Sequence, residues 1–303
     1  MKFDDVVEKF KYIQHDNDDV MCGISGPKGS GKSSLGVKIA IRSTRLHNKM
    51  HKEGLFDEKL TFSLAKNIPY TNQEIIRAAQ DPNHIQNFSC LVIDEAVKSV
   101  FGRDFARNDN KEMIKEFTTN RLRRLITCWL IPNIMNIDKA MRELLDYHLM
   151  IVWKDHDNKC KVAVFEKDRG ARSDVWDLEG WKKIMNKLPH VGYNSTKAEA
   201  DHMIRYLRRL KTFQGCFYFT PLKKKLYDRY AEVRQSGVLR RDNELFIGSP
   251  EAQDLANLKH IVARIGKLAR RRGDKIKLYN LLCKTMDGKG HVITKQKFYS
   301  LLD

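Results

Sequence analysis

The chain has 303 residues, of which 42% are hydrophobic and 9% aromatic, a composition that excludes an intrinsically disordered protein and leaves room for a core domain and a smaller one. Its 56 lysines and arginines outnumber 38 aspartates and glutamates, so the formal net charge is +18. This surplus favours a polyanionic partner such as a nucleic acid; a basic protein without one is the alternative. The six cysteines contain no Cys-x-x-Cys pair, and we predict neither a zinc site nor a disulfide framework.

The N-terminal residues predict a helix and no targeting signal. Apolar residues recur at helical spacing from Phe3 to Ile13. Two acids lie within the first five residues, where a secretory signal would be apolar, and no run of about 18 apolar residues occurs. We therefore expect a cytoplasmic protein without a membrane span.

Residues 26–33 match the phosphate-binding pattern G-x-x-x-x-G-K-[ST] in full. An apolar run over 20–24 precedes them and a helical pattern follows, an order that turns a helix N-terminus and backbone N–H groups into an anion cradle. Lys32 can bridge the β- and γ-phosphates of ATP, and the Ser33 hydroxyl can ligate Mg²⁺. A glycine-rich surface turn is the alternative. The residues predicted to bind ATP are Gly26, Pro27, Lys28, Gly29, Ser30, Gly31, Lys32, Ser33 and Ser34.

After a helix that Thr71 is predicted to cap, four apolar residues over 90–93 lead directly to Asp94 and Glu95. The pattern predicts a buried parallel strand that delivers two carboxylates to its C-terminal end, where open α/β sheets bind ligands. Asp94 is predicted to hold Mg²⁺, and Glu95 to orient the water that attacks the γ-phosphate. The pair favours ATP hydrolysis over phosphoryl transfer to a small acceptor. Two solvated acids at a strand end are the alternative.

A further buried strand over 125–131 has candidate functional residues at both ends. Asn133, at its C-terminal end, can sense the γ-phosphate or position water, or it can belong to a turn with Pro132. Arg121, Arg123 and Arg124 precede the strand. An arginine there could stabilise transition-state charge in a neighbouring subunit's site, with Arg121 and Arg124 as the favoured candidates, and a basic helix C-terminus complementing its own dipole is the alternative.

The remaining core elements are a helix over 138–146 and a hairpin of strands over 148–153 and 161–165. Alternating strands and helices predict the α/β class: a P-loop NTPase fold with a mainly parallel sheet, helices on both faces, an edge hairpin and a small helical C-terminal domain. We predict an ATPase core over 1–168, a lid or interface extension over 169–247, and a basic module over 248–303.

The predicted C-terminal module has a basic surplus. Residues 251–303 contain 12 lysines and arginines against 5 acids, in several short helical patterns. They suit a helix-turn-helix-like unit in which Arg270–Arg272 anchor phosphates and the last helix, with Lys295 and Lys297, lies on DNA. A solvated basic face is the alternative.

Through Phe165, the chain resembles an additional-strand P-loop ATPase of the HerA/FtsK-like group, on the loop 26–33, Asp94-Glu95, the arginines before the third strand and Pro132-Asn133. That group includes viral genome-packaging ATPases and zonula-occludens-toxin-like phage ATPases, and often has glutamine where this chain has Asn133. The resemblance implies a homo-oligomeric ring, such as a pentamer or hexamer, that moves along DNA, with double-stranded DNA favoured.

We therefore expect a DNA-stimulated ATPase that converts ATP and water to ADP and phosphate and works as a translocase, with viral genome packaging as one setting. A nucleotide-switched DNA-binding or recruitment ATPase that does not translocate is the main alternative. A P-loop kinase of a small molecule is a third, disfavoured by Glu95.

Overall fold

A computed structural model describes residues 1–94, 115, 117, 121–134, 137, 139–155, 157, 159–171, 174–185, 187 and 196–247, without the side chains of 121 and 241–247. The chain divides into two compact units, Met1–Val238 and Leu239–Asp303. Residues 169–238 therefore belong to the same unit as the predicted ATPase core, and the predicted domain boundaries stay predictions. The predicted basic module over 248–303 lies outside the described residues.

The first unit alternates helices and strands along the chain. The described helices are α1 (Phe3–His15), α2 (Lys32–Lys52), α3 (Leu64–Asn67), α4 (Asn72–Gln80), α5 (Lys139–Leu144), α6 (Leu178–Met185), α7 (Lys197–Leu207) and α8 (Lys224–Ile247). The strands are β1 (Val20–Ser25), β2 (Cys90–Ile93), β3 (Ile126–Ile131), β4 (Tyr147–Lys154), β5 (Cys160–Glu166) and β6 (Phe213–Phe219). A short 3₁₀ turn, Arg121–Arg123, precedes β3. No described helix is both long and apolar enough to cross a bilayer.

The six strands form one sheet in the order β2-β3-β1-β4-β5-β6. Strands β2, β3, β1 and β4 run parallel, whereas β5 and β6 are antiparallel to their neighbours. Every residue of β1, β2 and β3 is buried, which explains why their sequences are apolar except at Ser25 and Thr127. The chain crosses from β1 to the sheet edge at β2 and returns through β3, so β3 lies between the strands that carry the loop 26–33 and Asp94.

Helices cover both faces of the sheet, so the predicted α/β class is confirmed. Alternate strand residues point to opposite faces. Cys22 and Ile24 of β1 join the core beneath α1 and α2, whereas Met21 joins the core beneath α4, α5, α6 and α7. Trp176 and Trp181, which lie in a polar stretch of sequence, are buried in this second core.

The edge of the sheet differs from the prediction. The hairpin of β4 and β5 is present, but β6 pairs with β5 and is itself the edge strand. Strand β6 is largely half-exposed and contains Gly215, and its register against β5 shifts between Val164 and Phe165. An exposed, irregular edge strand lacks the continuous apolar run that reveals a buried strand.

Two helix predictions are confirmed in detail. In α1 the stripe Val6, Val7 and Phe10 is buried. Thr71 caps α4, where its side chain accepts a hydrogen bond from the Glu74 N–H at 3.1 Å.

Candidate nucleotide-binding site

The loop 26–33 joins the C-terminal end of β1 to the N-terminus of α2, as the sequence predicted. Gly26, Gly29 and Gly31 have φ values of 153°, 77° and 100°, a region that side chains rarely adopt. A Cβ at Gly26 would also lie 2.7 Å from Ser30 Oγ and 3.3 Å from the Ile151 carbonyl oxygen. The loop therefore needs glycine in order to turn back over the strand ends.

The N-terminus of α2 supplies the donors for an anion. Lys32, Ser33 and Ser34 are its first three residues, and the N–H groups of a first helical turn have no partner within the helix. Lys32 Nζ donates to the carbonyl oxygens of Gly26 at 2.6 Å and Pro27 at 2.9 Å, so the amine lies against the loop. Burial lowers the pKa of Lys32, and the charge of Asp94 opposes that shift. The Lys32 ammonium group and the N-terminus of α2 therefore lie together at the loop.

Asp94 meets the loop from the neighbouring elements. It directly follows β2, is 7% exposed, and accepts a hydrogen bond at Oδ1 from Ser33 Oγ at 3.4 Å. A hydroxyl and a carboxylate are hard oxygen donors of the kind that Mg²⁺ prefers. The pair fits this ion with a nucleotide, so Ser33 and Asp94 are the residues that would hold it.

Residues of β5 and of the end of β6 pack beside the loop. Cys160 Sγ lies 3.5 Å from the Ser30 carbonyl oxygen, and Phe219 packs beside Gly31. Burial raises the pKa of the Cys160 thiol to about 11, so it stays protonated and donates to that carbonyl. Lys38 of α2 donates to Thr220 Oγ1 at 3.1 Å. The antiparallel part of the sheet therefore packs against the loop and the helix that follows it.

A histidine–serine pair lies at the base of the loop. Ser25, the last residue of β1, hydrogen-bonds through Oγ to His148 Nε2 at 2.7 Å. The His148 ring stacks on Phe165 at 5.4 Å and meets the edge of Trp176 at 6.5 Å. Burial lowers the pKa of His148 to about 3, so the imidazole is neutral at pH 7.

Asn133 lies beside the start of the loop. The carbonyl oxygen of Pro132, the preceding residue, accepts from the Gly26 N–H at 3.3 Å, and the Asn133 side chain is exposed. This placement suits both a sensor of the γ-phosphate and a turn, so the sensor role stays a prediction. Glu95, the predicted water-orienting residue, lies outside the described residues.

The arginines before β3 lie at the opposite end of the sheet. Arg124 packs over the Phe88 ring at 5.2 Å and, across the length of β3, is roughly 20 Å from the loop of its own chain. Arg123 is buried and donates to the carbonyl oxygens of Ala78 and Ile85, so its guanidinium serves the core. The side chain of Arg121 lies outside the described part of the structure. A role of Arg121 or Arg124 in a neighbouring subunit's site stays a prediction.

Two residues of α8 belong to this site and are not predicted by any pattern in the sequence. The Tyr230 hydroxyl donates to Asp94 Oδ2, and Arg234 Nε lies 3.3 Å from the same oxygen. Burial raises the pKa of Tyr230 well above its ordinary value, and the charge of Asp94 adds to the shift, so the hydroxyl remains a donor. The Asp94 carboxylate is therefore held by Ser33 at one oxygen and by α8 at the other.

No protein-family model matches the chain, and no curated protein matches it. Among solved structures, it is similar to the N-terminal domain of zonular occludens toxin from Neisseria meningitidis, with 15% identity and a TM-score of 0.39 over 70% of this chain and 98% of that domain. It is also similar to the genome packaging NTPase B204 from Sulfolobus turreted icosahedral virus 2 in complex with ATP-gammaS, with 14% identity and a TM-score of 0.34 over 50% of this chain and 92% of that one. The sulfate complex of B204 gives 16% identity and a TM-score of 0.34 over 68% and 98%.

Both kinds of protein named in the sequence resemblance thus recur among the structural neighbours, whereas membership of the HerA/FtsK-like group stays a prediction. At this identity and these TM-scores, the neighbours assign no chemistry to individual residues. That assignment rests on the loop, Lys32, Ser33 and Asp94 as described above.

Proposed function

We propose that this chain is an ATPase that drives movement along double-stranded DNA as a ring-shaped homo-oligomer. The observation that carries the ATPase part is the meeting of the loop 26–33 with Asp94, through Ser33, at the C-terminal edge of the parallel strands. Glycine turns, a helix N-terminus, an ammonium group and a carboxylate there supply the donors and acceptors that a nucleoside triphosphate with Mg²⁺ requires. The neighbour B204 is a genome packaging NTPase, and we include viral genome packaging as one setting of the proposal.

The chemistry follows from the charges of the site. The α2 N-terminus and the loop N–H groups bind the phosphates, and Lys32 moves from the Gly26 and Pro27 carbonyls onto the β- and γ-phosphates. Mg²⁺, when bound by Ser33 and Asp94, neutralises phosphate charge. Glu95, next to Asp94 in the sequence, orients a water for attack on the γ-phosphorus. The bond between the γ-phosphorus and the oxygen that links it to the β-phosphate breaks, and ADP and phosphate leave.

The DNA part of the proposal rests on charge. The net charge is +18, and residues 251–303 carry 12 lysines and arginines against 5 acids. Such a surplus gives DNA affinity through release of counterions, which weakens steeply as salt is added. Oligomeric assembly would bring Arg121 or Arg124 of one subunit towards the phosphates of the next.

The test is steady-state ATP hydrolysis at low salt, with and without double-stranded DNA, in the unsubstituted chain, Lys32→Ala and Glu95→Gln. We expect hydrolysis that rises on adding DNA, falls again with salt, and is lost in both variants. Hydrolysis indifferent to DNA would refute the motor. DNA affinity that depends on the bound nucleotide, without displacement of a triplex-forming strand, would select the non-translocating switch instead.

A further inference from the structure

Helix α8 contributes two side chains to Asp94, one helical turn apart. Tyr230 and Arg234 are spaced i, i+4 and therefore lie on one face of the helix. Both contact Asp94 Oδ2, while Ser33 contacts Oδ1. The nucleotide site thus includes an element that follows the last strand of the sheet, which the proposed function does not use.

The two residues differ sharply in their exposure to solvent. Tyr230 is 2% exposed and belongs to the core beneath α2. Two further positions seat the helix there: Val233 packs against that core, and a Cβ on Gly237 would overlap the Tyr70 ring. The side chain of Arg234, in contrast, is 43% exposed. This part of α8 is therefore packed into the core, whereas the Arg234 side chain is partly open to solvent.

The contact between Arg234 and Asp94 joins a partly exposed arginine side chain to a buried carboxylate. Arg234 Nε lies 3.3 Å from Asp94 Oδ2. A γ-phosphate bound beside Ser33 and Asp94 would present several negatively charged oxygens within reach of the same guanidinium, and Mg²⁺ at Asp94 would repel it from the carboxylate.

We propose that Arg234 contacts the γ-phosphate of a nucleoside triphosphate in the site of its own chain, leaving Asp94 when the triphosphate binds. Tyr230 is a positioning residue that holds Asp94 towards Ser33 throughout. Arg234 therefore distinguishes ATP from ADP, because ADP has no phosphate at that position. The inference rests on the proposed nucleotide site but not on hydrolysis, DNA stimulation or ring assembly.

The test is equilibrium binding of ATP-γ-S and of ADP, both with Mg²⁺, by the full chain and its variants. We expect Arg234→Ala to weaken ATP-γ-S binding by about 10- to 100-fold, as for loss of a charge-assisted hydrogen bond, with ADP binding changed less than about twofold. Arg234→Lys should recover part of the loss, because lysine keeps the charge but not the planar fork. Arg229→Ala removes an exposed arginine of the same helix and should change neither affinity.

Tyr230→Phe tests the positioning role separately. It should raise the Mg²⁺ concentration that half-saturates ATP-γ-S binding severalfold, and leave ATP-γ-S binding in the presence of a chelator unchanged. A Tyr230 with only a structural role would lower the melting temperature without moving the Mg²⁺ requirement, and would refute this part.

Three outcomes overturn the role of Arg234. An unchanged ratio of the two affinities in Arg234→Ala would show that the arginine does not contact the γ-phosphate. Tighter ATP-γ-S binding in that variant would show that Arg234 blocks the site. Failure of the unsubstituted chain to bind either nucleotide would refute the site itself, whereas tight binding without hydrolysis would refute only the ATPase and leave the affinity ratio decisive.

Discussion

Replacing His148 by glutamine should change how the stability of the fold depends on pH between 7 and 5. In the folded chain the His148 ring is buried, with its pKa lowered from 6.5 to about 3, whereas in the unfolded chain it is solvated. Between these values the unfolded state binds a proton that the folded state does not, so the free energy of unfolding falls as the pH falls. At about 1.4 kcal/mol per pH unit, the loss between pH 7 and pH 5 is about 2 kcal/mol.

The assay is urea unfolding of the unsubstituted chain and His148→Gln at pH 7 and pH 5. Glutamine can keep a bond to Ser25 but loses the ring contacts with Phe165 and Trp176, so the variant should be less stable at pH 7, by about 1–3 kcal/mol. That difference should shrink by about 2 kcal/mol at pH 5, because only the histidine loses stability there. His202→Gln, which removes an exposed imidazole, should reproduce the unsubstituted profile. An equal difference at both pH values would refute a buried, neutral His148.

Three further substitutions test the packing of α2, the magnesium site and a buried lysine. Gly36→Ala should destabilise the fold by about 1–3 kcal/mol in thermal unfolding, because the new Cβ would lie 2.8 Å from Val92 and push α2 off the sheet. This loss should outweigh the higher helix propensity of alanine. Unchanged stability would contradict this packing. Ser33→Ala should abolish the tightening of ATP binding by Mg²⁺ while preserving binding in a chelator, and a variant that still responds to Mg²⁺ would exclude the hydroxyl as a ligand. Burial lowers the pKa of Lys11 to about 7, so between pH 7 and pH 8.5 the unfolded chain holds a proton that the folded chain has lost. The free energy of unfolding of the unsubstituted chain should therefore rise by roughly 1–2 kcal/mol from pH 7 to pH 8.5, relative to that of Lys11→Met. Parallel pH profiles would show that Lys11 is charged in the fold.

The part of the site predicted from the sequence depends on short-range patterns. A glycine-rich loop between an apolar run and a helix, and two acids after a second apolar run, each appear within about ten residues, and parallel strands bring their C-terminal ends to one edge. Ser33 and Asp94 therefore meet as expected. Tyr230 could not be predicted, because it lies 136 residues from Asp94 on a helix without a marked apolar face. Its contact arises from the path of the chain after β6.

The fold was predictable where burial is complete and less so at the edge. Strands β1, β2 and β3 are buried on both faces, so their sequences are mostly apolar. Strand β6 is an edge strand, and its half-exposed residues resemble a loop in sequence. The buried Trp176 and Trp181 were missed as core residues because their neighbours in sequence are polar.

The measurement that tests the central claim most directly is equilibrium binding of ATP with Mg²⁺ to the unsubstituted chain, Lys32→Met and Lys52→Met. Lys32 lies against the phosphate loop, whereas Lys52 is exposed at the far end of the same helix, about 30 Å away. The proposed site predicts that Lys32→Met weakens binding by about 10- to 100-fold, the effect of losing a charge-assisted hydrogen bond to phosphate, and that Lys52→Met binds as the unsubstituted chain does. Equal affinities in all three proteins, or no binding to any of them, would contradict a nucleotide site at this loop.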